Sequence, residues 1–174
     1  KSEILFLYET SYNIPNGDPF TGEQRYDEET KKILVSDVRI KRFIRTYLED
    51  IEGEHIYVSE NTGAGKTDSK GVLTWIAQNW NTNQKTDIAE IMKELIDVRL
   101  FGGISTLDKK MKVGEQEFVN GHVQFTGPVQ FAALNPSLNR VNLRMHQNTS
   151  HFTSKEDKAQ GAISTTTLVP YSIV

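Results

Sequence analysis

The chain of 174 residues is long enough for one domain with a sizeable hydrophobic core, and its net charge of −3 does not by itself identify a nucleic-acid binder. Cysteine is absent, which excludes a disulfide framework, thiol catalysis and thiolate metal sites. No apolar run approaches the roughly 18 residues that a membrane-spanning helix needs, and no signal-peptide pattern opens the chain. We therefore expect a soluble cytoplasmic protein with no membrane partner.

The first predicted element is a short apolar segment, Ile4–Tyr8, which is typical of a central strand. A long loop follows over residues 13–35, and it opens with the turn-forming sequence Asn-Ile-Pro-Asn-Gly-Asp-Pro. A loop of this length is too long for a plain connection, so we expect it to be functional. Two of its residues, Asp18 and Asp27, could assist phosphodiester cleavage, although Asp is also a residue that such turns prefer.

The loop ends at a predicted amphipathic helix, which Ser36 can cap at its N-terminus. At about 100° per residue, its apolar arc contains Ile40, Ile44, Tyr47, Leu48 and Ile51. The opposite arc contains Arg39, Lys41, Arg42 and Arg45. Residues 31–45 hold six cations and one acid, and six minus one gives a local charge of +5. Both a solvated basic face and a face that binds a polyanion fit this pattern.

A second strand is predicted over residues 55–59, followed by a glycine-rich loop over residues 60–67 that resembles a phosphate-binding P-loop. Glu60 stands where that pattern needs a glycine, and a carboxylate there opposes a phosphate. We therefore favour a flexible loop, within an insertion over residues 60–86, over a nucleotide-binding enzyme that would use Lys66.

Two helices are predicted next, over residues 72–80 and 86–96, with Thr86 as the cap of the second. A pair of glycines, Gly102 and Gly103, then allows the close approach of another backbone. None of the four histidines has the spacing of a metal-ligand motif. We therefore expect neither a metal nor a cofactor.

The hydrophobic period changes to two in the last third of the chain, where strands are predicted over residues 122–125 and 129–131. A polar arm over residues 141–152 follows, and residues 162–169 can pair back with it. Because a hairpin that buries so little cannot stabilise itself, we expect it to lie on a ligand or a neighbouring subunit. The chain stops inside an apolar run, so we expect the natural protein to continue beyond Val174.

Several of these segments occur together, in the same order, in one known family. The segment at Ile4–Tyr8, the Asn-x-Pro-Asn-Gly-Asp-Pro loop, Arg25 and the Val35–Arg45 helix resemble the crRNA-binding backbone subunit of CRISPR Cascade complexes. The type I-B subtype is most similar, with type I-C as a near relative. Further similar segments lie at residues 99–103, 126–131 and 159–171. The matches extend over nearly the whole chain, so together they are more specific than any single motif.

The resemblance implies an α+β fold: a modified ferredoxin-like, RNA-recognition-motif-like antiparallel sheet with helices, loop insertions and an inserted β-hairpin thumb. A single such domain would span residues 1–174 and be incomplete at its C-terminus, with the thumb over residues 132–169. Copies would polymerise head to tail along a guide crRNA, beside other Cascade subunits, and the guide bases would pair with target DNA in antiviral defence. The resemblance implies no catalysis; a type III-like subunit that cleaves target RNA with a first-loop Asp is the alternative.

The resemblance also implies which residues bind RNA. A guide must be held independently of its sequence, so the contacts should go to phosphates and sugars. The first helix, the first loop and the thumb would supply them, with Met145, His151 or Phe152 as the wedge that displaces a base. The residues expected to bind RNA are Asn13, Asn16, Arg25, Ser36, Arg39, Lys41, Arg42, Arg45, Gly102, Gly103, Gln130, Arg140, Arg144, His151 and Phe152.

Overall fold

A computed structural model describes residues 1–59, 69–79, 86–113, 116–150 and 162–174. In chain order its elements are β1 (Glu9–Asn13), β2 (Tyr26–Asp27), β3 (Lys32–Ser36), α1 (Asp37–Asp50), α2 (Ser69–Asn79), α3 (Ile88–Glu94), α4 (Ile96–Phe101), β4 (Gly102–Thr106), β5 (Lys110–Val113), β6 (Gln116–Val119), β7 (His122–Thr126), β8 (Leu134–Pro136), β9 (Arg144–Ser150) and β10 (Ala162–Ile173). Helices together with antiparallel sheets confirm the predicted α+β class and are consistent with a ferredoxin-like fold.

The chain forms two compact units. The first, which we call the sheet unit, consists of Lys1–Ile40 and Ala132–Val174; the second, which we call the helix unit, is Lys41–Phe131. Helix α1 begins in the sheet unit and continues in the helix unit. None of the helices in the described part of the chain is both long and apolar enough to span a membrane.

The sheet unit contains two three-stranded sheets, with the strand orders β1-β10-β9 and β2-β3-β8. Strand β3 shows the alternation that a half-buried strand requires, because Ile33 and Val35 are fully buried and their neighbours are not. Val169 of β10 is also fully buried, so these two strands contribute side chains to the core of the unit.

Strand β10 has two neighbours along its length. Residues 162–168 pair with β9, from Ala162 opposite Ser150 to Leu168 opposite Arg144, and the rest of β10 pairs with β1. Pro170, which has no N–H to donate, lies next to the point where the partner changes. The predicted pairing of the polar arm with its return strand is thus confirmed, while residues 151–161 lie outside the described part of the chain.

The strand predicted over Ile4–Tyr8 is wrong. The first strand begins at Glu9, and the apolar side chains before it are exposed, Ile4 to 89%. The backbones of Tyr8 and Val174 exchange two hydrogen bonds of 2.9 Å, and residues 4–7 run past this pair. A strand forms only where a neighbour supplies N–H and C=O partners, and the described residues supply none there.

The helix unit is built around one apolar cluster to which α2, α3 and α4 contribute. Helix α3 shows the predicted 3.6-residue periodicity, because Ile88, Ile91 and Met92 are all buried. Its cap is Asp87 and not Thr86, since the Asp87 carboxylate accepts the N–H of Ala89 at 2.8 Å. The buried members of the cluster are Tyr57, Val72, Leu73, Ile76, Ile88, Ile91, Met92, Leu95, Val98 and Phe118.

Two strands predicted in this unit do not form, over residues 55–59 and 129–131. Strand β7, in contrast, covers the predicted residues 122–125 and pairs with β4. The prediction holds at Gly102, which has φ +85° and where a Cβ would lie 2.3 Å from the Phe125 carbonyl oxygen, whereas the nearest neighbours of a Cβ at Gly103 are side chains. The prediction of a close backbone approach is therefore confirmed at Gly102.

Candidate nucleic-acid interface

The long first loop is held together by two buried amide side chains. Gln24 Oε1 accepts the backbone N–H of Asn16 at 2.9 Å, and its Nε2 donates to the carbonyl oxygens of Arg25 and Leu34 at 2.8 and 3.2 Å. The backbone N–H of Arg25 returns to the Asn16 carbonyl at 3.0 Å. These bonds close the segment between Asn16 and Arg25 into one ordered turn, which supports the expectation that this loop is more than a connection.

The same loop is joined to the start of α1. Ser36 donates its N–H to Asn16 Oδ1 at 2.7 Å, and Ser36 Oγ accepts the N–H of Arg39 at 3.3 Å, so the predicted Ser36 cap is confirmed. Arg39 Nε donates to the Pro15 carbonyl oxygen at 3.0 Å. Because Asn16 is buried, the structure gives its side chain a positioning role, at the point where the loop meets the helix.

Replacing Asn16 with alanine is expected to destabilise the protein by about 1–3 kcal/mol, because the Ser36 N–H would lose its acceptor in a partly buried place. Thermal or urea unfolding measures this loss. Asn142→Ala is the matched control, since Asn142 is exposed and its replacement should change stability by less than about 0.5 kcal/mol. Equal stability of the two variants would contradict the positioning role.

The two acids of the loop are occupied within their own turns. Asp18 Oδ1 accepts the N–H groups of Phe20 and Thr21 at 2.9 and 3.3 Å, and its Oδ2 lies 3.4 Å from Arg25 Nη2. The Phe20 hydrogen bond, followed by those of Thr21 and the charge of Arg25, holds the pKa of Asp18 below its usual value. Asp27 accepts the Thr30 hydroxyl at 2.6 Å, and this bond is the main reason that its pKa is also lowered.

The basic residues of α1 do not share one environment. Lys41 and Arg42 are partly exposed, and Lys41 Nζ lies 5.9 Å from the centre of the Phe101 ring. The side chain of Arg45 is only 11% exposed, and its Nε donates to Asp97 Oδ2 at 3.0 Å. The prediction that Arg45 lies on the exposed arc is therefore wrong, because a buried carboxylate draws its guanidinium inwards.

The predicted apolar arc of α1 needs a matching correction. Ile40 is buried as expected, but Tyr47 and Ile51 are 54% and 69% exposed. Ile44 and Leu48 are partly buried, so the predicted arc is only partly covered by its neighbours. The pattern of apolar residues alone cannot predict this, because it contains no information about which parts of the chain pack against the helix.

The remaining predicted residues are spread over both units. Asn13 is exposed, and its side chain accepts the N–H of Ile14 at 2.7 Å. Gln130 donates to the Gly127 carbonyl at 2.8 Å. In the β9–β10 region Arg140, Arg144 and Met145 are exposed, Met145 to 73%. The residues that lie outside the described part are His151, Phe152 and the P-loop-like residues 60–67 with Lys66.

Asp97 is the important residue that sequence reasoning missed. It is fully buried and accepts hydrogen bonds from Arg45, from the N–H of Tyr57 at 2.8 Å and from the N–H of Val58 at 3.1 Å. The N–H groups of Tyr57 and Val58 thus have a side-chain acceptor and not the strand partner that the prediction requires. The one available signal is a lone carboxylate in the apolar run around Ile96 and Val98, which predicts a buried partner.

Among the described residues, no group of three or more His, Cys, Asp or Glu side chains is arranged to hold a metal ion. The predicted site residues instead carry mainly cationic and amide side chains, and such groups contact phosphates and sugars.

Comparison with known proteins gives two consistent matches. The family model described as CRISPR-associated protein Cas7 matches residues 1–174. A protein of that name from Haloferax volcanii is 30% identical, and the match covers 92% of this chain and 50% of the relative. The chain therefore spans about half the length of this curated relative.

Proposed function

The chain belongs to the Cas7 family of CRISPR-associated proteins, and from this premise we propose that it is part of a crRNA-binding backbone subunit of a type I Cascade, of the I-B kind. In this proposal copies of the protein assemble head to tail along the guide RNA, together with other Cascade subunits. The guide is gripped by its sugar-phosphate backbone, so its bases remain available to pair with target DNA.

The observation that carries the proposal is the basic segment of α1. No acidic residue lies between Asp37 and Glu49, and within this stretch Lys41 and Arg42 keep part of their surface in solvent. The buried Asp97 carboxylate offsets the charge of Arg45, so the proposal is tested at Lys41 and Arg42 in the helix unit. In the sheet unit, Asn13 and Arg25 of the ordered first loop are further candidates for RNA contacts.

The β9–β10 ladder supports the thumb part of the proposal. Met145 and Arg144 are exposed on a strand whose apolar content is low, so the arm has surface available for a ligand or a neighbouring copy. Unstacking one base costs a few kcal/mol, which an apolar side chain such as Met145 would partly return by packing against the neighbouring base. Arg144 and Arg140 would then contact phosphates.

A non-catalytic role is part of the proposal. Asp18 and Asp27 each use their carboxylate oxygens within their own turns, and no metal-binding group forms among the described residues. These acids therefore have a structural explanation that does not require them to act on RNA.

Replacing Lys41 and Arg42 together with alanine is expected to weaken RNA binding about tenfold for every sequence tested, because each contact goes to a phosphate. The slope of log affinity against log salt should fall by about 1.4, which is about 0.7 for each lost contact to a single strand. Fluorescence anisotropy with unrelated short RNAs over a range of salt concentrations measures both quantities.

The control removes the same charge from another place in the same unit. Lys109→Ala with Lys112→Ala takes two exposed lysines from the region of β5 and should leave both the affinity and the slope nearly unchanged. If the two double variants lose affinity equally, general charge and not the α1 segment determines binding. If neither variant loses affinity, the proposed function itself is refuted.

A further inference from the structure

The tip of the first loop presents one aromatic ring to solvent. Phe20 is 95% exposed, more than any other large hydrophobic residue in the described ranges. A Phe side chain normally buries most of its surface, so a ring left outside an ordered structure needs a partner or a reason. Nothing in the sequence pattern singled out this residue, because it lies between the turn formers Pro19 and Thr21.

The turn that carries this ring is ordered by hydrogen bonds on both sides. Asp18 donates its N–H to the Glu23 carbonyl at 2.7 Å and accepts the N–H of Gly22 at 2.8 Å. The Asp18 carboxylate also holds the N–H of Phe20 at 2.9 Å. The backbone beneath the ring is therefore fixed before any ligand arrives, which lowers the entropy that binding would cost.

The same carboxylate brings a cation to the tip. Asp18 Oδ2 lies 3.4 Å from Arg25 Nη2, while Arg25 Nε is buried and has no hydrogen-bond partner among the described residues. The charges of Asp18 and Arg25 offset each other, and the exposed Glu23 leaves residues 18–25 with a net charge of −1. Binding free energy at this tip would therefore come from contact with the ring, and not from the counterion release that accompanies the neutralisation of phosphates by cations.

The surroundings of the ring favour a nucleobase over a protein as its partner. Thr21, Gly22 and Glu23 beside it are exposed and are not hydrophobic, so the apolar surface is limited to about one ring with Pro19. A specific protein interface buries about 800 Å² on each partner, far more than one ring offers. A single base matches one aromatic ring in size, and stacking on it tolerates any base.

We propose that Phe20 is a stacking platform for an unpaired nucleobase of bound single-stranded RNA, held in place by the Asp18–Arg25 pair. This inference deepens the proposed function and rests on it. The loop is joined to α1 through Asn16 and Arg39, so the platform stands at a fixed position relative to the start of the basic helix.

The experiment compares two ligands of equal length, a short single-stranded RNA and an abasic oligonucleotide with the same sugar-phosphate backbone. Phe20→Ala is expected to bind the RNA about tenfold more weakly and the abasic ligand unchanged, with no change in salt slope, because stacking requires bases. Phe20→Trp should keep the affinity, and the emission of the new indole should be quenched when RNA binds. Leu138→Ala is the matched control, since Leu138 is an exposed apolar residue of the same unit.

The outcomes separate this inference from the proposed function. If the Lys41 and Arg42 double variant loses affinity for both ligands but Phe20→Ala loses none, the stacking platform is refuted and the proposed function stands. An equal loss for both ligands in Phe20→Ala, or absence of quenching in Phe20→Trp, also refutes the platform. If Phe20→Ala changes self-assembly in the absence of RNA and leaves RNA affinity intact, the ring is a protein contact and the inference is wrong.

Discussion

Replacing Asp97 with alanine is expected to lower the free energy of unfolding of the helix unit by about 3–5 kcal/mol. The buried carboxylate accepts hydrogen bonds from the nearly buried guanidinium of Arg45 and from the N–H groups of Tyr57 and Val58. Alanine would leave all of these donors without their acceptor. Urea denaturation followed by circular dichroism measures the loss, which is a large part of the about 5–15 kcal/mol that stabilises a typical domain.

Two further variants test whether the charge of Asp97 or its hydrogen bonds account for the stability that this side chain provides. Asp97→Asn keeps one oxygen acceptor but removes the negative charge, so it should be less destabilised than the alanine variant. Arg45→Met removes the cation and leaves the buried charge of Asp97 with only its two N–H donors, so its loss should be about as large as that of the alanine variant. A loss below about 1 kcal/mol in Asp97→Ala would contradict the central role of this carboxylate.

Replacing Gly102 with alanine is expected to destabilise the helix unit by about 2–5 kcal/mol. A backbone with φ +85° is strained for any residue with a Cβ, by about 1–2 kcal/mol. The added Cβ would also lie 2.3 Å from the Phe125 carbonyl oxygen and 2.8 Å from the Gly127 nitrogen, and relieving such overpacking costs about 1–3 kcal/mol more. The midpoint of urea unfolding reports the change.

Gly53→Ala separates the two contributions. Gly53 has φ +70°, but no atom lies within 4 Å of the Cβ that it would receive, so only the strain of about 1–2 kcal/mol applies. If Gly53→Ala and Gly102→Ala lower the free energy of unfolding equally, the close backbone approach at Gly102 does not contribute to the loss. RNA binding by the Gly102 variant should be compared per folded molecule, because its expected instability alone would reduce the measured binding.

Local signals in the sequence predict local structure well. The spacing of Ile88, Ile91 and Met92 predicts a helix face that is buried, and Ser36 predicts the start of α1. The polar arm and its return strand were expected to pair, and they do so in β9 and β10. Each of these predictions depends on residues that are close in the chain or on a simple period, so no distant partner has to be known.

Distant partners explain the predictions that were wrong. Arg45 and Asp97 are 52 positions apart, and no periodicity connects them, so the inward turn of Arg45 could not be foreseen. The apolar residues near Ile4 match a strand in type, but a strand also needs a neighbour with free N–H and C=O groups. The exposed ring of Phe20 was overlooked because a pattern of turn formers does not say which side chain the turn presents.

Strand β10 runs without interruption from the β9–β10 arm into the sheet that it forms with β1. It pairs with β9 up to Leu168 and with β1 from Val169 onwards, so no loop separates the arm from the sheet. A slip of one residue would turn every side chain of the arm to its opposite face. The direction in which the arm leaves the sheet therefore depends on the twist of β10 itself.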